Sequence, residues 1–129
     1  MDQSLGRILL VDDEPSLLKM MSLYLGRLGY SVTTANTTER AWNEAEASVS
    51  GFDVAVLDAT MPGMSMEDLA TRLLSANSTL RVLAASGYPV DMTLLETVAP
   101  RRVAFLHKPF TPEMLAAAVR RMLAAQEEV

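Results

Sequence analysis

The side chains able to do chemistry stand at the ends of apolar runs. Asp12 and Asp13 follow Arg7-Ile8-Leu9-Leu10-Val11, and Asp58 follows Val54-Ala55-Val56-Leu57. Ser86 closes Leu80-Arg81-Val82-Leu83-Ala84-Ala85, and Lys108 comes directly after Phe105-Leu106-His107. If the runs are parallel strands, these groups converge on one edge of a sheet. Three carboxylates in one place raise one another's pKa, so something cationic must relieve them. Lys108 supplies one positive charge, and a hard divalent cation supplies two more. The chain has no cysteine, and a site of oxygen ligands suits Mg²⁺, or Mn²⁺, over softer metals. A carboxylate nucleophile, a cation, a lysine and a hydroxyl donor together form equipment for phosphoryl transfer.

The elements that must position these residues are legible in the hydrophobic pattern. Strands are expected at 7–12, 31–35, 53–58, 80–86 and 102–106, the first of them apolar enough to be buried on both faces. Helices are expected from Pro15 to about Gly29, with glycine as the stop, and near 37–49, with Asn36 and Glu39 as a capping pair. Others fall near 66–76, capped by Ser65 with Asp68, near 90–98, and from Thr111-Pro112 to about Ala125. Five strand-then-helix units predict one α/β domain over residues 1–129, doubly wound, with a core of about 6–125 and a frayed tail at 126–129. In such sheets ligands gather beyond the carboxyl ends of the strands, where strand order reverses.

Composition narrows the function. The 129 residues are half hydrophobic, enough for one packed core. No apolar run is long enough to span a membrane, no export signal is visible, and the reading is cytoplasmic. A net charge of −5 and the lack of a basic run argue against direct nucleic-acid binding. Nine of the eleven basic residues are arginine, which makes Lys19 and Lys108 worth locating.

In order along the chain, Leu10-Val11-Asp12-Asp13-Glu14-Pro15, Val56-Leu57-Asp58 with Met61-Pro62-Gly63-Met64, Ala85-Ser86-Gly87-Tyr88 and Lys108-Pro109-Phe110 resemble the receiver domain of bacterial two-component response regulators. The resemblance covers nearly the whole chain. It implies a flavodoxin-like fold with five parallel strands in the order 2-1-3-4-5. It implies that Asp58 is the phosphoacceptor, and that Asp13, Asp58 and the Thr60 carbonyl hold Mg²⁺, with Asp12 acting through a metal-bound water. Ser86 and Lys108 would meet phosphoryl oxygens, Phe105 would be the aromatic switch, Thr60 and Tyr88 would tune the phosphoryl lifetime, and Lys108–Pro109 would be cis. The implied partners are a histidine kinase or histidine phosphotransfer protein, a downstream protein reading the fourth helix, fifth strand and fifth helix, and a second copy upon phosphorylation. With no output domain in the chain, the readout falls to such partners. Ser86-Gly87-Tyr88 and Lys108-Pro109-Phe110 have a flavour of hybrid kinases. Such a domain is a signalling module, with no enzymatic activity beyond its own phosphotransfer and autodephosphorylation.

Simpler roles stand beside these. Asp12 and Asp13 could cap the first helix, Ser86 could start a turn, Lys108 could be a solvated surface residue, and Phe105 could be core filler. Asp53 opens the strand that Asp58 ends, so it belongs at the opposite edge. His107 reads as surface, Trp42 as half-buried packing, and the methionines as core filling. Met92, Leu94, Leu95 and Val98 make the fourth helix apolar enough for either core packing or partner contact. Met66 stands where many relatives have glycine, which leaves the loop before the third helix open. Two other readings use the same residues: an aspartate-nucleophile phosphatase, which would want a second aspartate where Thr60 stands, and a receiver that works unphosphorylated through protein contacts.

Overall fold

The computed structural model describes residues 4–48 and 51–127. The element order is β1 (Arg7–Val11), α1 (Pro15–Arg27), β2 (Ser31–Ala35), α2 (Thr38–Ala47), β3 (Val54–Asp58), α3 (Met66–Ala76), β4 (Arg81–Ser86), α4 (Thr93–Val98), β5 (Val103–His107) and α5 (Pro112–Glu127). All four strand pairings are parallel, in the order β2-β1-β3-β4-β5. This is the expected flavodoxin-like arrangement.

Alternation along the central strands divides the core into two layers. Leu9 and Val11 of β1 and Ala55 and Leu57 of β3 pack with Ala41 of α2, Leu69 and Leu73 of α3 and Leu95 of α4. Ile8, Leu10, Val54 and Val56 point the other way, against Leu18, Met21 and Leu25 of α1 and Leu115, Val119 and Met122 of α5. Because β3 is covered on both faces, every residue in it is buried, including the charged Asp58. Each fully buried leucine contributes about 1.5–3 kcal/mol.

Local signals explain most helix ends. Gly29, at φ 110°, follows α1, and the Gly29 and Tyr30 amides donate to the Gly26 and Leu25 carbonyls. That is a Schellman stop, which favours glycine. Ser65 accepts from the Asp68 amide and Thr111 from the Met114 amide, as their spacing predicts. The loop before α3 resolves simply: Met66 is the first helical residue and is buried.

Three expectations need correction. Thr37, not Asn36, caps α2, because Thr37 is extended and its hydroxyl accepts from the Arg40 amide. Glu39 instead accepts from the Thr38 hydroxyl. Helix α4 starts at Thr93 rather than near 90, where the Asp91 carboxylate takes the Thr93 amide and turns the chain into the helix. Helix α5 continues through Glu127, past the expected end, while Glu128 and Val129 of the expected frayed tail lie outside the described residues.

Candidate functional site

Strand order reverses at β1, which has β2 on one side and β3 on the other. The carboxyl ends of β1 and β3 therefore deliver Asp12, Asp13 and Asp58 to the crevice where this fold class binds ligands. Carboxylate oxygens of the three lie within 4.8 Å of one another. Asp12 and Asp58 are buried and Asp13 is exposed, so the cluster opens to solvent through Asp13. Lys108 reaches in from beyond β5, its Nζ 3.2 Å from Asp12 Oδ2 and 3.3 Å from Asp58 Oδ2. The Lys108 amide donates to the Ser86 carbonyl, and the Lys108–Pro109 bond is cis.

Electrostatics follow from this packing. Burial pushes the Asp12 carboxyl above its ordinary value; the Glu14 amide and Lys108 oppose that rise, and Asp58 adds to it. For Lys108, burial disfavours the ammonium, but Asp12 and Asp58 outweigh it and hold its pKa above the usual lysine value. The single positive charge of Lys108 faces three carboxylates. An all-oxygen donor set with that charge imbalance fits a hard divalent cation.

Asp58 is held on both oxygens. Oδ1 accepts from the amide and the hydroxyl of Thr60, each at 3.0 Å, while Oδ2 faces Lys108. Asp12 Oδ1 accepts from the Glu14 amide at 2.9 Å, and α1 has Glu14 rather than an aspartate at its N-cap position. Ser86 is buried at the end of β4, and its Oγ accepts from the Tyr88 amide at 3.0 Å. The hydroxyl proton has no acceptor among the described residues, so it is available to an oxygen entering the site.

The remaining candidates lie around this centre. Phe105 is half-buried, packed on the α2–α4 side of the core, with its ring edge-to-face with His107 at 6.2 Å between centroids. Its neighbour His107 is exposed, and Tyr88 is 72% exposed beside the site. Asp53, at the other end of β3, accepts from the Arg7 amide at 2.7 Å, away from the cluster. Trp42 is half-buried, with the Arg72 guanidinium 6.0 Å from its ring centre. On α4, Leu95 is buried while Leu94 and Val98 are exposed, so the apolar helix serves the core with one side and solvent with the other.

The resemblance implied that Thr60 and Tyr88 tune the phosphoryl lifetime, but sequence reasoning missed that their amides hold the Asp58 and Ser86 side chains. The available signal was spacing: an Asp or Ser two residues before its donor forms a local turn. Asp12 with Glu14, Asp58 with Thr60 and Ser86 with Tyr88 all follow it.

Known proteins resemble this chain in sequence and fold. A family model described as response regulator receiver domain matches residues 8–120. The DNA-binding response regulator MtrA of Mycolicibacterium smegmatis is 34% identical over 99% of this chain and 55% of its own length. The sensor kinase CckA of Brucella abortus is 30% identical over 93% of this chain and 13% of its own. The chain thus spans about half of one relative and a small part of the other. The crystal structure of a CheY-like receiver domain protein from Methanospirillum hungatei JF-1 superposes with a TM-score of 0.83 at 26% identity, covering 97% of this chain and 98% of that one. Among the described residues, no helix is long and apolar enough to cross a membrane.

Proposed function

Because this chain belongs to the response regulator receiver domain family of two-component systems, we propose that its Asp58 accepts a phosphoryl group from a histidine kinase or histidine phosphotransfer protein. The observation that carries the reading is a buried aspartate between a lysine and two further carboxylates at the switch point of the sheet. A carboxylate oxygen of Asp58 attacks phosphorus, a new O–P bond forms as the N–P bond of phosphohistidine breaks, and the imidazole leaves. The product is an acyl phosphate.

The chain's own groups divide the work. Thr60 fixes the Asp58 carboxylate through two donors on one oxygen, so less orientational freedom is lost on the way to attack. Lys108 faces the other oxygen and stands ready to pair with a phosphoryl oxygen as charge builds there. Asp13, Asp58 and the Thr60 carbonyl would hold Mg²⁺ or Mn²⁺, with Asp12 acting through water; the ion would neutralise charge on the phosphoryl oxygens. Ser86 would leave the Tyr88 amide and donate its free hydroxyl proton to the new phosphoryl group, and Phe105 would move inward behind it. Tyr88 and Thr60 would set how readily water reaches the acyl phosphate.

The added group brings about −1.5 to −2 charge. The face of α4, β5 and α5 would present the result to a downstream protein or to a second copy. We place the functional unit at about 6–125, in the cytoplasm.

Intact mass after incubation with acetyl phosphate and Mg²⁺ tests the assignment. One phosphoryl adduct is expected on the wild type and none on Asp58→Asn. An adduct that survives in Asp58→Asn would place the acceptor elsewhere. No adduct with any donor would favour a receiver that works through contacts alone, and rapid turnover of varied phosphate esters would favour a phosphatase.

A further inference from the structure

Of the two lysines, Lys108 serves the acidic cluster and Lys19 does not. Lys19 lines a groove of about 410 Å³ together with Ser22 of the same helix, Thr34 of β2, Asn36 just after it, and Arg40 of α2. The groove lies at the β2 edge of the sheet and shares no residue with the cluster of Asp12, Asp13 and Asp58. The side chains of Lys19, Thr34, Asn36 and Arg40 are exposed, and among the described residues none of them makes a hydrogen bond or an ion pair. Asn36 is free because Thr37 takes the cap of α2 in its place. Ser22 donates its hydroxyl proton to the Lys19 carbonyl, so toward the groove its oxygen can only accept.

Local structure does not account for the two cations. Arg40 is the third residue of α2, where the helix dipole disfavours positive charge. Lys19 is the fifth residue of α1, also in the half where a cation gains nothing from the dipole. The chain has 16 acidic residues against 11 basic ones, yet none of the described residues lining the groove is acidic. Three elements thus bring two uncompensated cations and uncommitted polar side chains to one concavity.

We propose that this groove binds a small organic phosphate, with phosphoryl oxygens on Lys19 and Arg40 and a hydroxyl-bearing body against Ser22, Thr34 and Asn36. A phosphoryl group answers both cations at once, and the planar guanidinium of Arg40 can hold two of its oxygens. Thr34 and Asn36 can each donate or accept, while Ser22 wants a donor such as a sugar hydroxyl. The volume suits a ligand of that size. A nucleic-acid strand fits less well, because two cations neutralise too few phosphates on a chain of net charge −5. The site goes beyond the receiver reading and does not depend on Asp58.

The test titrates the isotope-labelled full chain with ribose phosphate, adenosine monophosphate, ribose and inorganic phosphate, following amide resonances by NMR. Chelator is present throughout, so that no metal ion draws phosphate to Asp58. Saturable shifts are expected at Lys19, Ser22, Thr34, Asn36 and Arg40 with the two esters, and none with ribose. Tighter binding of adenosine monophosphate would assign the ligand to the nucleotides, and equal or weaker binding to the sugar phosphates. Inorganic phosphate should bind about tenfold more weakly than the better ester, since it lacks the body. Lys19→Gln and Arg40→Gln should each weaken that ester about fivefold. Arg40→Gln also removes a cation that the helix dipole disfavours, so its melting temperature should not fall, which separates lost binding from lost folding. The proposal is overturned if neither ester shifts these amides, if ribose shifts them equally, if inorganic phosphate binds as tightly as both esters, or if both variants bind like wild type.

Discussion

Asp53 and Asp58 flank one short strand and differ in almost everything except residue type. Asp53 accepts from the main chain of Arg7, and the Asp53 amide donates back to the Arg7 carbonyl, so it locks the start of β1 to the start of β3. Its partners are fixed, neutral backbone groups, and it stands outside the acidic cluster. Asp58 is buried among two more carboxylates, with one lysine against the three. The strand alone does not assign chemistry to either. The difference is whether carboxylates crowd together, since a carboxylate standing apart and held by backbone donors serves structure, and a crowded set recruits a cation or a new covalent group.

That contrast can be broken by moving charge at each end in turn. Asp13→Asn leaves Asp58 and Lys108 untouched but removes one oxygen anion from the cluster. Mg²⁺ affinity, followed by calorimetry, should fall by at least ~10–100-fold, the range seen even for outer supports of metal ligands. Asp53→Asn should leave that affinity unchanged. A matching loss from the Asp53 change would show that the two ends are not independent. Thermodynamic stability should respond in the opposite pattern. Asp53→Ala strands the Arg7 amide and is expected to lower unfolding free energy by about 1–3 kcal/mol in urea titration. Asp58→Asn, measured with chelator present, should cost nothing or raise stability, because it removes a like charge from a crowded site.

The sequence showed the central strands and the strand-end cluster more clearly than the helix boundaries. Buried strands such as Val54–Asp58 are read from composition alone, and the convergence of Asp12, Asp58 and Lys108 follows once the sheet is parallel. Helix starts depend on which of several small polar residues takes up an extended conformation. Asn36 and Thr37 both qualify as caps on residue type, and only the chain path favours Thr37. The start of α4 was similarly hidden, because Asp91 makes its turn through a carboxylate-to-amide bond that hydrophobic periodicity does not register.

Protonation offers a gentler way to sharpen the comparison. Asp12 is held above the ordinary carboxylate pKa mainly by burial. A carboxyl so placed binds its proton more tightly folded than unfolded, so it withdraws stability as pH rises from the ordinary value through the raised one, and none below that. In chelator, Asp12→Asn should therefore gain on wild type at neutral pH, and the gain should disappear as pH falls below about 4, the ordinary aspartate value. Cation binding favours the ionised form, so Mg²⁺ affinity should rise with pH through the same window and release a proton. Equal urea midpoints for the two proteins at every pH would mean that Asp12 meets no burial penalty.

The smallest effect should come from Thr60, which touches Asp58 but carries no charge. Its amide and hydroxyl share Asp58 Oδ1, and Thr60→Val removes the hydroxyl while keeping both the amide and the side-chain shape. One net hydrogen bond of about 1 kcal/mol corresponds to roughly a fivefold change in rate. Phosphorylation by acetyl phosphate, timed by intact mass, should slow by about that factor, with Mg²⁺ affinity and urea midpoint close to wild type. A change in rate alone would identify the hydroxyl as an orienting group for the nucleophile. A parallel fall in Mg²⁺ affinity would instead mean that the hydroxyl shapes the ligand set, and the division between fixed carboxylates that hold structure and crowded ones that react would then extend to the uncharged groups that aim them.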